Sequence, residues 1–179
     1  VIEFAKFIPA MAAVNSITVD SAGNMRNQKT YTLTAGEDKI DLSNKNLGPA
    51  DINLICAWLA TDAGAAVTSI NCLANSFGDD DLATLLTAIE GTSVRSLCGL
   101  TEGQTAADFL GQNLGPIDMK IMAAEYRFQG LIAAIASLTI SGNFIFGSKN
   151  RNRYPGDDTQ VHDVDKDHSG WNNLCEQLK

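Results

Sequence analysis

Histidine is scarce. The chain of 179 residues holds two, His162 and His168, both near its C-terminal end. No Ser/His or Cys/His arrangement is indicated outside that end, so nucleophilic catalysis has few candidates. A glycine-rich phosphate loop with a following lysine is missing as well. A non-catalytic role is therefore expected. The four cysteines, Cys56, Cys72, Cys98 and Cys175, show no CxxC spacing. At least three fall where hydrophobic periodicity points inward, which predicts buried, reduced thiols and an intracellular, reducing compartment. No apolar run approaches the roughly 18 to 20 residues that cross a bilayer. Positive charge is also short, with 13 Lys and Arg against 21 Asp and Glu and a net charge of −8. Nucleic acid and anionic membranes would be repelled by such a surface, whereas a protein partner of opposite charge would not. Proline is limited to four residues while 45% of the chain is hydrophobic, which argues for a folded core rather than disorder. No initiator Met and no basic signal region precede the first amphipathic segment, so the chain is expected to begin within a longer protein.

What is present is a repeat. Asp41, Asn46, Leu47, Gly48, Pro49 and Asp51 return 67 residues later as Asp108, Asn113, Leu114, Gly115, Pro116 and Asp118. Over residues 33–57 and 100–124, ten of twenty-five positions are identical. Strand, turn and helix signals recur in register, as in a repeat array.

Along the chain, Val1 to Ala13 has helical spacing, with Pro9 straining its second turn. Ser16 to Asp20 alternates as a half-buried strand, with Ile17 and Val19 inward. Tyr31 to Thr34 and Lys39 to Leu42 flank a polar turn and predict an inserted hairpin, repeated by Cys98 to Thr101 and Ala106 to Phe109. Pro49 and Pro116 open helices at a position where a missing amide costs nothing. Val67 to Cys72 and Val94 to Cys98 read as strands, and Ile135, Leu138 and Ile140 mark another. Asp79, Asp80 and Asp81 suit the start of a helix over 82–90. Residues 147–168 form a long polar, acidic insertion, and Trp171, Leu174, Cys175 and Leu178 give a last amphipathic helix.

Two series, Val67, Ile70, Cys72, Asn75, Phe77 and Ile135, Leu138, Ile140, Asn143, Ile145, carry apolar residues at fixed offsets around an Asn. Val14, Ile17 and Val19 fit the first half of the same pattern. In this the chain resembles leucine-rich-repeat proteins, in particular the ribonuclease-inhibitor-like branch and the long arrays of unicellular algae. The resemblance implies an α/β solenoid over residues 1–179, a curved parallel sheet with helices on its convex side. About four repeats, two inserted hairpins and a place within a longer array are expected. It also implies a protein-binding or scaffolding role for the strand wall. The outward positions would be Ser16, Thr18, Asp20, Ser69, Asn71, Ser96, Cys98, Ser137, Thr139 and Ser141. These are small residues that leave a shallow wall, and they read equally as an ordinary solvated face. Arg151, Arg153 and Tyr154 in the insertion offer larger anchors. Open repeat ends would allow self-association.

One constellation has metal-ligand spacing. Asp165, Asp167, Ser169, Trp171 and Glu176 occupy positions 1, 3, 5, 7 and 12 of an EF-hand loop, with Gly170 at the turn position, so a calcium-responsive module is the alternative function. Asn172 stands where such loops carry an aliphatic residue, and no entering helix is evident. A helix cap by Asp165, Asp167 and Ser169 accounts for the same residues without an ion.

Overall fold

Helix starts are written into the chain as a glycine followed three residues later by aspartate: Gly48 to Asp51, Gly78 to Asp81, Gly115 to Asp118. Each aspartate returns its carboxylate to the amide of its glycine, at 2.9, 3.0 and 2.7 Å. This supplies an acceptor to one of the amides a helix start leaves unpaired, and puts negative charge at the positive end of the dipole.

A computed structural model describes residue 7 and residues 14–125, 134–147, 149–150, 161–162 and 165–178. The expected first helix and its kink at Pro9 lie outside these residues. So do Arg151, Arg153 and Tyr154. The fold is mixed α/β, with small two-stranded sheets and four helices among the described residues. None of these helices is long and apolar enough to cross a membrane. The chain divides into two compact units, Val1–Gln104 and Thr105–Lys179.

In the first unit, β1 (Ser16–Asp20) pairs antiparallel with β2 (Thr30–Thr34), Ile17 opposite Leu33 and Val19 opposite Tyr31. Then β3 (Lys39–Asp41), helix α1 (Pro49–Leu59), β4 (Ser69–Asn71) and helix α2 (Asp79–Ile89) follow in order. β3 and β4 are parallel, with Ile40 opposite Ile70. The expected hairpin between residues 31–34 and 39–42 is therefore not formed. Both its arms are strands, but each takes another partner, because alternation marks a strand without saying what lies beside it. Ile40, Ile52, Ile55, Leu59, Val67, Ile70 and Leu85 make the buried core with Trp58, which is 1% exposed. The expected strand at Val94–Cys98 reduces to two bridges, Ser69 with Ser96 and Asn71 with Cys98, before Gly99 turns the chain at φ 76°. Val94 and Leu97 are buried.

In the second unit, β5 (Ala106–Asp108) runs parallel to β6 (Ser137–Thr139) and not in a hairpin with residues 98–101. Helix α3 (Pro116–Glu125) lies between them in sequence. Leu138, expected inward, is 39% exposed. Its register partner is Ala107, which offers less cover than Ile70 offers Ile40. β7 (Lys149–Asn150) and β8 (Val161–His162) close the base of the long insertion as an antiparallel pair. Helix α4 (Ser169–Gln177) packs on α3. Gly170 is buried there, and a Cβ on it would overlap the Pro116 carbonyl and stand 2.9 Å from Met119 Cβ.

The sequence repeat is also a hydrogen-bond repeat. Asn75 Nδ2 donates to the carbonyls of Leu42 and Cys72 at 2.9 and 2.8 Å, and its Oδ1 accepts from Leu47 N–H at 3.0 Å. Asn143 does the same with Phe109, Ile140 and Leu114, at 2.7, 2.9 and 3.0 Å. Around them the backbone bonds recur: Thr68 and Ser69 to Asp38 as Ala136 and Ser137 to Thr105, Asn44 to Leu73 as Gly111 to Ser141, and Ser76 to Leu47 as Phe144 to Leu114. Left-handed positions recur too. Asn44, Asn46 and Ala74, at φ 52°, 57° and 58°, correspond to Gly111, Asn113 and Gly142 at 62°, 61° and 74°.

Replacing Asn75 by Ala removes the acceptor of the Leu47 amide and the donations to the Leu42 and Cys72 carbonyls. Stability should fall by about 3 kcal/mol in chemical denaturation. Asn75→Asp should recover little of this, because a carboxylate cannot donate to the Leu42 and Cys72 carbonyls.

Candidate functional site

Each unit holds one short parallel strand pair. Register places Lys39 and Asp41 beside Ser69 and Asn71 in the first unit, and Ala106 and Asp108 beside Ser137 and Thr139 in the second. Of the positions expected to face outward, Ser137 and Ser141 are exposed while Asn71 and Thr139 are half-buried. Ser69 and Ser96 are not available, being 5% and 0% exposed. Ser69 Oγ donates to the Leu100 carbonyl at 3.1 Å, and Ser96 Oγ accepts from Cys98 and Leu100 N–H at 3.2 and 2.9 Å. Cys98 is buried as well. The segment turning at Gly99 folds over these positions, which strand alternation alone does not reveal.

Ser16, Thr18 and Asp20 are exposed, on the antiparallel β1–β2 ribbon and not on a parallel pair. Thr18 and Thr32 share a hydroxyl hydrogen bond of 2.9 Å, and Thr30 Oγ1 donates to Asp20 Oδ1 at 2.6 Å. Asp41 and Asp108 are wall positions that strand periodicity did not single out. Each is exposed and accepts the amide two residues on, Ser43 or Leu110, at 3.0 Å. Their identity within the duplicated motif was the signal for them.

The EF-hand spacing does not become a calcium loop. α4 already begins at the fifth position, Ser169, so Glu176 lies seven residues further along a helix, about 10 Å from Ser169 along its axis. An EF-hand supplies ligands from a loop of twelve residues wrapped round the ion, whereas here positions 5 to 12 are already helix. Gly170 is not a turn residue but the helix residue that lets α4 approach Pro116. Among the described residues no group of three or more His, Cys, Asp or Glu side chains could hold a metal ion. Asp167 instead caps the helix, its Oδ1 accepting from Ser169 N–H at 2.9 Å and from Ser169 Oγ at 2.5 Å. Those two bonds hold its carboxyl below the ordinary carboxylate range. Trp171 is half-buried with its ring edge-on to Phe146 at 5.7 Å, and Phe146 also meets the His168 ring at 5.1 Å.

The most developed polar cluster in the first unit is buried at the start of α1. Asp51, 0% exposed, receives Tyr31 OH at 3.0 Å, Ala22 N–H at 2.8 Å and Gly48 N–H at 2.9 Å. Burial, then the adjacent Asp51 carboxylate and its hydrogen bond, push the Tyr31 hydroxyl far above its ordinary value. Burial also pushes the thiol of Cys56, further along the same helix, up to about 11. All four cysteines are thiols, Cys72 and Cys98 buried, Cys56 and Cys175 half-buried. These arrangements hold a fold together.

Comparison with protein-family models, with curated proteins and with solved structures returned no match.

Two outcomes follow. Melting temperatures measured in millimolar calcium and in excess chelator should coincide; a calcium-dependent rise would restore the ion-binding loop. Asp167→Ala should lower stability by about 1 kcal/mol at neutral pH through loss of the cap. Because the folded carboxyl is the stronger acid, that difference is present above the ordinary aspartate value of about 4 and vanishes as pH falls through the lowered one.

For Tyr31 and Cys56 the sign is opposite. Each holds its proton more tightly when folded, so the contribution is full below the ordinary values of about 10 and 8.5 and is lost as pH rises towards the higher folded ones. Denaturation across the alkaline range should show stability falling by up to about 1.4 kcal/mol per pH unit for each group. In Tyr31→Phe the limb above pH of about 10 should flatten, while neutral stability drops by about 1–3 kcal/mol because Asp51 loses a buried donor.

Proposed function

We propose that the chain is a short array of leucine-rich repeats of the ribonuclease-inhibitor-like kind, and that it binds or scaffolds another protein without performing chemistry. The observation that carries this is the paired role of Asn75 and Asn143. In each unit a strand is followed by an asparagine whose amide ties its own turn to the turn of the preceding parallel strand. Such a bond only makes sense where one strand-and-turn module is laid beside another, which is the logic of a repeat array. Each strand pair then offers its own outward face to a partner. The accessible residues are Lys39, Asp41 and Asn71 on the first unit's pair and Asp108, Ser137 and Thr139 on the second's.

A wall of this composition favours a partner that contributes the aromatic or basic anchors itself, since small and acidic residues are seldom hot spots. A photo-crosslinking residue placed at Thr139 or Asn71 should capture a defined protein from lysate, while the same residue at Thr84, exposed on α2, should not. Equal capture at both positions, or none at the wall, would count against the strand face as the binding surface.

A further inference from the structure

The ladder between β1 and β2 determines which backbone groups of β1 are left over. In an antiparallel pair, opposed residues alternate between exchanging two backbone bonds and exchanging none. Ala35 N–H donates to the Asn15 carbonyl at 2.7 Å and Ser21 N–H to the Lys29 carbonyl at 3.0 Å, so the bonded pairs fall on odd numbers, Ile17 with Leu33 and Val19 with Tyr31. Thr18 and Thr32 form the closer, unbonded kind of pair, which brings their hydroxyls to 2.9 Å. The N–H and C=O groups of Ser16, Thr18 and Asp20 therefore point away from β2. None of these six groups is hydrogen-bonded among the described residues, and all three residues are exposed.

The opposite side of the ribbon differs. There the Thr30 carbonyl accepts from Lys45 Nζ at 3.5 Å, and Lys29 Nζ donates to the Asn44 carbonyl at 2.6 Å, so that side is turned toward the loop after β3. At the β1 edge, Val19 is half-buried although its cross-strand neighbour Tyr31 is 3% exposed, so an apolar side chain there lacks full cover. Edges of natural sheets are commonly guarded by lysine, proline or a bulge. The run from Ser16 to Asp20 has none of these.

We propose that β1 is a dimerisation edge, on which the β1 strands of two copies of this chain pair antiparallel about a two-fold axis at Thr18 and join their ribbons into one four-stranded sheet. Centred there, Thr18 exchanges two backbone bonds with Thr18 of the partner subunit, and Ser16 exchanges two with Asp20 of the partner subunit. The same register sets the Ser16 hydroxyl, a donor, opposite a carboxylate whose Oδ1 already takes Thr30 Oγ1, and it sets no acid opposite an acid. On the inward face it lays Ile17 of the partner subunit beside Val19 and supplies the missing cover. Any extended strand satisfies the backbone of such an edge, but this pairing satisfies the side chains as well, which selects a second copy as the occupant. Away from the edge, two chains of net charge −8 repel, so the dimer tightens as salt is raised. The pairing uses the β1–β2 ribbon alone and does not depend on the parallel strand pairs being a binding face.

Sedimentation velocity of the full chain over about 10 μM to 1 mM, the range in which small interfaces associate, should show a monomer–dimer equilibrium that strengthens with salt. Thr18→Pro removes an amide that β2 does not use, and Thr18→Lys sets two cations against each other on the axis. Each should weaken the dimer by about tenfold or more while the melting temperature of the dilute chain is kept. Should Thr18→Pro lower that temperature, Thr18→Lys decides. Oxidised glutathione should link Thr18→Cys to its copy, because the paired positions are about 5.5 Å apart. Ser16→Cys should link no more than the wild-type chain does, because four residues of strand separate it from its copy by about 13 Å. A monomer throughout the range, a dimer that loosens as salt rises, association that Thr18→Lys leaves unchanged, or linking at position 16 as strong as at 18 would overturn the proposal.

Discussion

A tight turn placed inside a folded chain has more backbone amides and carbonyls than it can pair with itself, and each one left dry is costly. In this protein the constraint is met by asparagine. The Asn75 amide carries both an acceptor and two donors, so one side chain satisfies the Leu47 amide and the Leu42 and Cys72 carbonyls together. Aspartate lacks the donors, and glutamine is one methylene too long to keep the same points of contact. The bonds reach 28 to 33 residues along the sequence, so they do more than cap a local turn. They fix how far one strand-turn segment lies from the next, and the β3–β4 register follows from that spacing.

The same constraint explains where the duplication is strict and where it is loose. The amide bonds of Leu42, Asn44, Asp51 and Ile52 return at an offset of 67, whereas those of Thr68, Ser69 and Ser76 return at 68. The extra residue is therefore taken up between the helix and the second strand, a stretch that carries none of the asparagine's partners. Within the strict part, the left-handed positions keep residues that tolerate them, Asn or Gly, with the exception of Ala74. Its counterpart is Gly142, so the first unit holds an alanine where a Cβ is unfavourable.

Much of this was legible beforehand, because the signals are local. Gly48, Pro49 and Asp51 specify a helix start by steric and electrostatic rules that need no neighbour, and Gly115, Pro116 and Asp118 repeat them. Asn75 and Asn143 stood out by spacing. What misled was everything decided by a partner distant in sequence. Residues 31–34 and 39–41 are strands, as their alternation says, but β2 joins β1 and β3 joins β4, and no property of the turn between them forbids that. Ser69 and Ser96 have the polarity of surface residues and are buried, because segment 99–101 lies over them and supplies their hydrogen bonds. Gly170 sat at the turn position of a calcium loop by spacing alone; the helix beginning at Ser169 and the nearness of Pro116 give it a different task.

The three helix starts separate what a motif contributes from what its surroundings contribute. Asp51, Asp81 and Asp118 make the same bond to the glycine three residues earlier, at closely similar lengths. Yet Asp81 is half-buried beside an open Gly78, while Asp51 is fully buried and receives two further donors from Ala22 and Tyr31. An aspartate with one amide partner at the surface contributes about what any cap does. The same side chain with three donors, out of water, becomes a fixed point on which the β1–β2 ribbon and the arm between its strands are anchored. Local sequence thus sets the geometry of these positions, and the segment that docks on them decides how much each one stabilises.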